Sequence, residues 1–212
     1  MISKGLLVKL EARAGKDREV EEFLLSALPM VREEADTAAW FAIRFGRSEY
    51  GIFDVFPDDE SRDAHLRGPV ARALLEKSDV LFAKPPEIHK LDVVASKLPE
   101  SAPVDADTKG MLLTFAAQEG HQTEAEAFLR DAQPLVEEEP ETTAWFAIHL
   151  DDGKYGIFDV FPDNGGRIKH LIGRVPRAMV MKAPRLMRGM PDMDMLSVVA
   201  EKQGGEIAPA AW

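Results

Sequence analysis

A carboxylate lies in the middle of a strongly apolar stretch, "YGIFDVFPD", which covers residues 50–58. The same nine letters return at residues 155–163, so Asp54 and Asp159 occupy matching places. A buried carboxylate without a partner is costly, so it finds hydrogen-bond donors or its pKa rises. A raised pKa would make either aspartate a general base near neutral pH, whereas full pairing would make it a structural brace.

A histidine also recurs after each aspartate, as His65 in "RDAHL" and His170 in "IKHL". We take both as candidate catalytic residues. The structural alternative is a histidine on a helix face that caps the helix or packs against the sheet edge. Neither has a partner at the H-x-x-x-H spacing, and the other histidines are scattered, so no protein-bound metal is expected.

Strand pairing predicts which other side chains share a face with the aspartates. Counting outward from a tight turn at residues 46–48 pairs Phe45 with Glu49, Arg44 with Tyr50, Ala42 with Ile52, and Trp40 with Asp54. Side chains alternate along a strand, so all but the first of these pairs share one face. The candidate substrate-binding residues on that face are Trp40, Arg44 and Tyr50 in the first copy and Trp145, His149 and Tyr155 in the second.

The sequence contains a tandem repeat. Trp40 aligns with Trp145 at an offset of 145 − 40 = 105, and residues 40–97 then show 28 identities in 58 positions without a gap. "DVVASK" at residues 92–97 meets "SVVAEK" at residues 197–202. Two copies of this length indicate two domains, at residues 1–98 and 109–203. Residues 99–108 are predicted to be an exposed linker and residues 204–212 a C-terminal tail.

Each copy predicts the same order of elements. In the first copy, periodicity indicates a strand at residues 5–13, a helix at 17–35, a strand hairpin at 37–45 and 49–56, a helix at 59–78 and a last strand at 88–97. This βαββαβ order is typical of a ferredoxin-like α+β unit, with helices on one side of an antiparallel sheet.

The hairpin strands are apolar on both faces, which indicates burial on both. We expect the two repeats to pack sheet to sheet as an intramolecular pseudo-dimeric α/β barrel. The helices are expected to cover the longer apolar set, Phe41, Ile43, Phe53 and Val55. The aspartate face would then point into the barrel, where aromatic walls with a few polar groups suit a flat ligand.

These elements carry a family resemblance. "AAWFAIR", "YGIFDVFPD", "DAHLRGPVARAL" and the Pro-Pro before the closing strand resemble the antibiotic biosynthesis monooxygenase-like domains of the dimeric α/β-barrel superfamily. The resemblance implies a cofactor-independent monooxygenase of phenolic, quinol or polycyclic aromatic substrates, with a small aromatic molecule and dioxygen as partners. The alternative is a non-catalytic small-molecule-binding or stress-associated barrel protein.

The resemblance also implies roles. Asp54 or His65 would remove a substrate proton, with Tyr50 or Arg44 holding the developing oxyanion. Haem-degrading members use an Asn on the first strand, and "LLVKLEAR" and "MLLTFAAQ" contain none. No cofactor is expected.

Composition excludes several other classes of protein. A net charge of −11 argues against nucleic-acid binding, which needs clustered Lys and Arg. The absence of cysteine removes disulfides and thiolate catalysis. No apolar run is long enough to cross a bilayer, and the start of the chain lacks a signal-peptide pattern, so a cytoplasmic protein without a membrane partner is expected. The two repeats are expected to pair with each other, and a further homo-oligomer remains open.

Overall fold

The computed structural model describes residues 1–99 and 107–203. The described residues form two compact units, one of residues 1–90 with 198–203 and the other of residues 91–99 with 107–197. Most of the predicted linker and all of the predicted tail lie outside the described residues. The predicted domain boundaries stay a prediction.

The first repeat has the predicted order of elements, with one helix divided. Its elements are β1 (Lys4–Glu11), α1 (Asp17–Arg32), β2 (Ala39–Gly46), β3 (Glu49–Phe56), α2 (Asp59–Leu66), α3 (Pro69–Leu81) and β4 (Glu87–Lys97). The predicted helix at residues 59–78 is two helices because Gly68 is extended (φ −74°, ψ 178°) and Pro69 begins a new helix at its first position.

The second repeat follows the same order. Its elements are β5 (Lys109–Ala116), α4 (Gln122–Asp131), α5 (Gln133–Glu137), β6 (Ala144–Leu150), β7 (Lys154–Phe161), α6 (Asn164–Leu171), α7 (Arg174–Leu186) and β8 (Asp192–Gln203). The counterpart of α1 divides into α4 and α5, and α5 has a proline, Pro134, in its first turn.

Each unit contains an antiparallel sheet, in which β1, β3 and β2 are neighbours in the first unit and β5, β7 and β6 are neighbours in the second. The α+β fold class predicted from the sequence is therefore confirmed. Within the first unit, β3 pairs antiparallel with β1 and β2. Within the second unit, β7 pairs with β5 and β6, the first half of β8 pairs with β5, and the second half of β4 pairs with β6, all antiparallel.

The hairpin register predicted from the sequence is confirmed, except at the turn. Trp40 pairs with Asp54, Ala42 with Ile52 and Arg44 with Tyr50. Nearer the turn Gly46, rather than Phe45, pairs with Glu49, because the register shifts between Arg44 and Gly46. Ser48 closes the turn with a positive φ of 61°.

The prediction of which sheet face the helices cover was wrong. The face that carries Asp54 lies beneath the helices, because its apolar members form one buried cluster with residues of α1 and α3: Trp40, Ala42, Tyr50 and Ile52 from the strands, Val20, Leu24, Ala27 and Val31 from α1, and Val70, Leu74 and Leu81 from α3. The second unit shows the same arrangement for Trp145, Ala147, Tyr155 and Ile157.

The reason lies in where the polar partners are. Phe41, Ile43, Phe53 and Val55 on the opposite face are also fully buried, so apolar content does not distinguish the two faces. A carboxylate needs hydrogen-bond donors, and helix residues provide them. The polar strand residues therefore face the helices, and the wholly apolar set faces away.

Across the described residues, no helix combines the length and the apolar character needed to cross a membrane.

Candidate functional site

Asp54 takes part in a buried ionic cluster beneath the helices of the first unit. Its Oδ2 lies 3.2 Å from Nε2 of His65, and Nδ1 of His65 lies 2.6 Å from Oε2 of Glu34. Glu34 Oε2 also accepts a hydrogen bond of 2.7 Å from the hydroxyl of Thr37. The imidazole therefore lies between two carboxylates, with both ring nitrogens engaged.

Local sequence places each member of this cluster. Asp54 is in the middle of β3, and His65 is in the last turn of α2. That short helix begins at a capping residue, Asp58, whose side chain accepts a 2.9 Å hydrogen bond from the amide of Ser61. Glu34 follows the end of α1, so three separate elements bring the cluster together.

The charges of this cluster determine where its proton lies. Burial by itself lowers the pKa of His65, but the charge and close contact of Asp54 and the hydrogen bond to Glu34 outweigh it and raise the pKa to about 10. Burial raises the pKa of Glu34, but the hydrogen bond and the charge of His65, with the Thr37 hydrogen bond and the Lys202 charge, together outweigh burial and leave that pKa below its ordinary value. Burial raises the pKa of Asp54 even though His65 opposes the shift. His65 is therefore the protonated member at neutral pH.

The second unit repeats the cluster with a looser aspartate contact. Nδ1 of His170 lies 2.6 Å from Oε2 of Glu139, but its Nε2 is 3.9 Å from Oδ1 of Asp159. The hydroxyl of Thr142 donates a 2.9 Å hydrogen bond to Glu139 and lies 3.3 Å from Nδ1 of His170. The His170–Glu139 contact is thus preserved, and the His170–Asp159 ion pair is longer than its counterpart in the first unit.

The longer distance between His170 and Asp159 accompanies a different set of pKa shifts in the second cluster. Burial raises the pKa of Asp159 to about 7, against a smaller opposing effect of His170. Burial lowers the pKa of His170, but the hydrogen bond to Glu139 and the Asp159 charge outweigh it, so that pKa is above its ordinary value. Asp159 is therefore a buried group that changes its charge near neutral pH.

The aspartates have unsatisfied polar atoms beside them. Considering the described ranges only, neither carboxylate oxygen of Asp54 or Asp159 has a geometrically good hydrogen bond. The indole Nε1 atoms of Trp40 and Trp145 are likewise buried without an acceptor there. Each tryptophan is directly opposite its aspartate in the sheet. Trp40 and Trp145 therefore lie beside the clusters, as the sequence predicted.

A cavity adjoins the second cluster. Its volume is about 230 Å³, and its lining includes Glu139, Thr142 and His170. Two ion pairs, Lys169 with Glu141 and Arg174 with Glu138, lie at its exposed rim. Within each pair the two opposite charges neutralise each other. His170 thus connects this cavity with the buried Asp159.

The remaining predicted site residues form a separate group near the hairpin turn. Tyr50 is four residues from Asp54 along β3, about 13 Å away at strand spacing. Arg44 pairs with Glu21 of α1 at 2.9 Å and lies over the Tyr50 ring at 5.5 Å. Burial and the Glu21 charge raise the pKa of Tyr50 to about 12. In the described structure Tyr50 and Arg44 therefore do not join the aspartate cluster.

The same separation occurs in the second unit. His149 stacks on Tyr155 with ring centroids 4.6 Å apart, and Tyr155 stacks on Phe115 at 5.9 Å. This aromatic stack lies at the turn end of β7, remote from Asp159. A substrate-binding role for His149 and Tyr155 at the cluster is therefore not supported by their position.

Sequence reasoning missed the acidic and hydroxyl members of the clusters. Glu34 and Thr37 recur as Glu139 and Thr142 at the repeat offset of 105, the same offset that relates the aspartates (159 − 54 = 105). That recurrence was an available signal. Among the described residues no group of three or more His, Asp or Glu side chains is arranged to hold a metal ion. The expectation that neither metal nor cofactor takes part stays a prediction.

Comparison with solved structures places the fold. The chain is similar to a candidate monooxygenase from Fusobacterium nucleatum, with a TM-score of 0.85 at 12% identity over 95% of this chain and 94% of that one. It is similar to an anthrone oxidase-like protein, with a TM-score of 0.61 at 13% identity over 99% and 97%. It is also similar to a ferredoxin-fold protein related to antibiotic biosynthesis monooxygenases from Listeria monocytogenes, with a TM-score of 0.53 at 8% identity over 93% and 95%. The chain shares the ferredoxin-like fold of these structures.

The monooxygenase-like fold confirms the resemblance stated from the sequence motifs. No protein-family model matches the sequence, and no curated protein matches it either.

Proposed function

We propose that this protein is a cofactor-independent monooxygenase of small phenolic, quinol or polycyclic aromatic substrates, which bind in the cavity beside His170. The observation that carries the proposal is the position of His170 between this cavity and the buried carboxyl of Asp159. Similarity to a candidate monooxygenase and to an anthrone oxidase-like protein supports the reaction class.

The His170–Asp159 pair acts as the general base in this proposal. A general base works best when its pKa is close to the working pH, and the pKa of Asp159 is about 7. The two groups titrate as a unit, so the protonated His170 passes a proton to the Asp159 carboxylate as it receives the substrate proton, and Asp159 is the group that ends with the extra proton. Glu139 fixes the imidazole ring through the 2.6 Å hydrogen bond.

The reaction balances with dioxygen as the second substrate. In an anthrone-type substrate, loss of a proton gives a carbanion, which transfers electrons to dioxygen and forms a C–O bond. Protonation gives a hydroperoxide, and cleavage of its O–O bond with loss of the second hydrogen leaves a carbonyl group and releases water. The substrate carbon supplies all four electrons.

Oxygen consumption across a panel of quinols and anthrones tests the proposal. We expect uptake by the wild-type protein and one ¹⁸O atom per product from labelled dioxygen. His170→Asn should lower the rate by about 10²-fold or more, the range for loss of a general base. His65→Asn is the matched control and should retain uptake in proportion to its folded fraction by circular dichroism. No uptake on any substrate, or full activity of His170→Asn, would overturn the proposal.

A second function is favoured by the first unit. Both ring nitrogens of His65 are engaged by carboxylates, an arrangement that braces the helices against the sheet. If the second cluster is a brace as well, the protein is a non-catalytic small-molecule-binding or stress-associated barrel. Binding of panel compounds without oxygen uptake would support this alternative.

A further inference from the structure

Two lysines hold the chain segments that carry the cluster glutamates. Within the second unit, Nζ of Lys97 donates hydrogen bonds to the carbonyls of Val136 at 3.0 Å and of Glu139 at 2.6 Å. Within the first unit, Nζ of Lys202 donates to the carbonyls of Val31 at 3.1 Å and of Glu34 at 2.6 Å. The same atoms are therefore joined in the same way in both units.

Each lysine comes from the sequence repeat that does not supply the cluster. Lys97 is the last residue of β4, at the end of the first repeat, but Glu139 and His170 belong to the second. Lys202 lies in β8, at the end of the second repeat, but Glu34 and His65 belong to the first.

The sheet register places Lys97 in line with the second cluster. Lys97 is directly opposite Trp145 on the neighbouring strand β6, and Trp145 is directly opposite Asp159 on β7. Residues directly opposite each other share a face, so these three side chains lie on the helix side of the sheet. At strand spacing the α-carbons of Lys97 and Asp159 are about 10 Å apart, with the glutamate segment above them.

We propose that Lys97 and Lys202 are positioning residues that hold Glu139 and Glu34 against their histidines, so that each cluster is completed by the last strand of the other repeat. The positioning concerns the geometry of the clusters and stands whether or not the protein consumes oxygen.

Each lysine can position its glutamate because its ammonium group donates hydrogen bonds to two carbonyls of the same turn. The carbonyls of Val136 and Glu139 lie at the C-terminal end of α5, where carbonyls lack helical partners and the helix dipole favours a cation. By joining a carbonyl inside the helix to that of Glu139 beyond its end, Lys97 fixes the direction in which the glutamate leaves the backbone. The Lys97 charge also contributes to lowering the pKa of Glu139, and the Lys202 charge to lowering that of Glu34. Both glutamates therefore stay ionised acceptors for their histidines.

Proton NMR of the full chain tests the assignment without any substrate. A short imidazole-to-carboxylate hydrogen bond gives a far-downfield N–H resonance, and the wild-type protein should show two. His65→Asn and His170→Asn assign them. Lys97→Met should then remove or broaden the His170 resonance and leave that of His65. Lys202→Met should do the reverse, so each variant is the control for the other.

Several results would overturn the proposal. A wild-type spectrum without either resonance would contradict the short hydrogen bonds. Loss of both resonances in one folded variant would show general loosening, and loss of neither would show that the lysines do not position the glutamates. If the methionine variants do not fold, Lys97→Arg and Lys202→Arg are compared instead, because arginine keeps the charge but changes donor geometry. Lys97→Arg should then shift the N–H resonance of His170 alone, and Lys202→Arg should shift that of His65 alone.

Discussion

Substitution of Asp159 by asparagine should make the stability of the protein less dependent on pH. The pKa of Asp159 is raised by burial from an ordinary value of 3.8 to about 7. Between these values the folded carboxyl keeps a proton that the unfolded carboxyl has released. The folded state therefore binds more protons, and the stability of the wild-type protein falls as the pH rises through this window. Asp159→Asn keeps the shape of the side chain and removes this effect.

The expected magnitude follows from the two pKa values. The raised pKa of Asp159 lowers the free energy of unfolding of the wild-type protein by about 4 kcal/mol above pH 7. At pH 5 the same effect lowers it by only about 2 kcal/mol. Removing the charge also weakens the attraction that keeps His170 protonated, which acts in the same direction with pH. The free energy of unfolding of the variant, relative to wild type, should thus increase by about 2–3 kcal/mol between pH 5 and pH 8.

Urea unfolding followed by tryptophan fluorescence at pH 5, 6, 7 and 8 measures this difference. Asp131→Asn, at an exposed position at the end of α4, controls for the loss of one carboxylate. A constant difference between Asp159→Asn and wild type over this range would refute the reasoning, because it would show that Asp159 does not retain its proton in the folded state.

Three further changes should have measurable effects. Asp163→Ala removes a helix cap that accepts a 2.8 Å hydrogen bond, so urea unfolding should show a loss of about 1 kcal/mol, and no loss would contradict the capping role. Gly173→Ala places a Cβ 2.8 Å from the backbone carbonyl oxygen of His170 and 2.9 Å from Oε1 of Glu139, so the variant should lose about 1–3 kcal/mol and unchanged thermal melting would rule out this close packing. His65→Asn leaves the buried Asp54 and the partly buried Glu34 without their counter-charge and should cost about 3–5 kcal/mol at pH 7, with a smaller cost at pH 5 where they can be protonated. An equal cost at the two pH values, in the same urea assay, would exclude this explanation.

The local features of the fold could be read from the sequence. The hairpin pairings of Trp40 with Asp54 and Arg44 with Tyr50 follow from alternation and a short turn, which are both determined by neighbouring residues. The division between α2 and α3 was missed although Gly68 and Pro69 carry its signal, because the apolar spacing continues across the break.

The face occupied by the helices could not be read in the same way. Both phases of the strands are fully buried, so a count of apolar residues favours neither. What decides the face is that α2 and the end of α1 bring His65 and Glu34 over Asp54. That meeting depends on contacts between distant parts of the chain, which strand periodicity does not contain.

The candidate site could be predicted only in part from the sequence. The recurrence of the aspartates and histidines marked them, and the structure brings each pair together. Arg44 and Tyr50 share a sheet face with Asp54 but lie at the other end of the strand. Sharing a face therefore did not mean sharing a site, since strand length separates residues that alternation aligns.

The placement of Lys97 and Lys202 has a consequence for how the two halves of the gene diverge. Duplication normally frees one copy from selection, so that it drifts while the other keeps the original role. Here the last strand of each copy supplies a contact to the cluster encoded by the other copy. A copy that lost its own chemistry would still have to conserve its final lysine for the sake of its neighbour. With Lys97 and Lys202 in the proposed role, loss of the lysine from one copy would weaken the cluster in the other copy, so the two copies could not diverge independently.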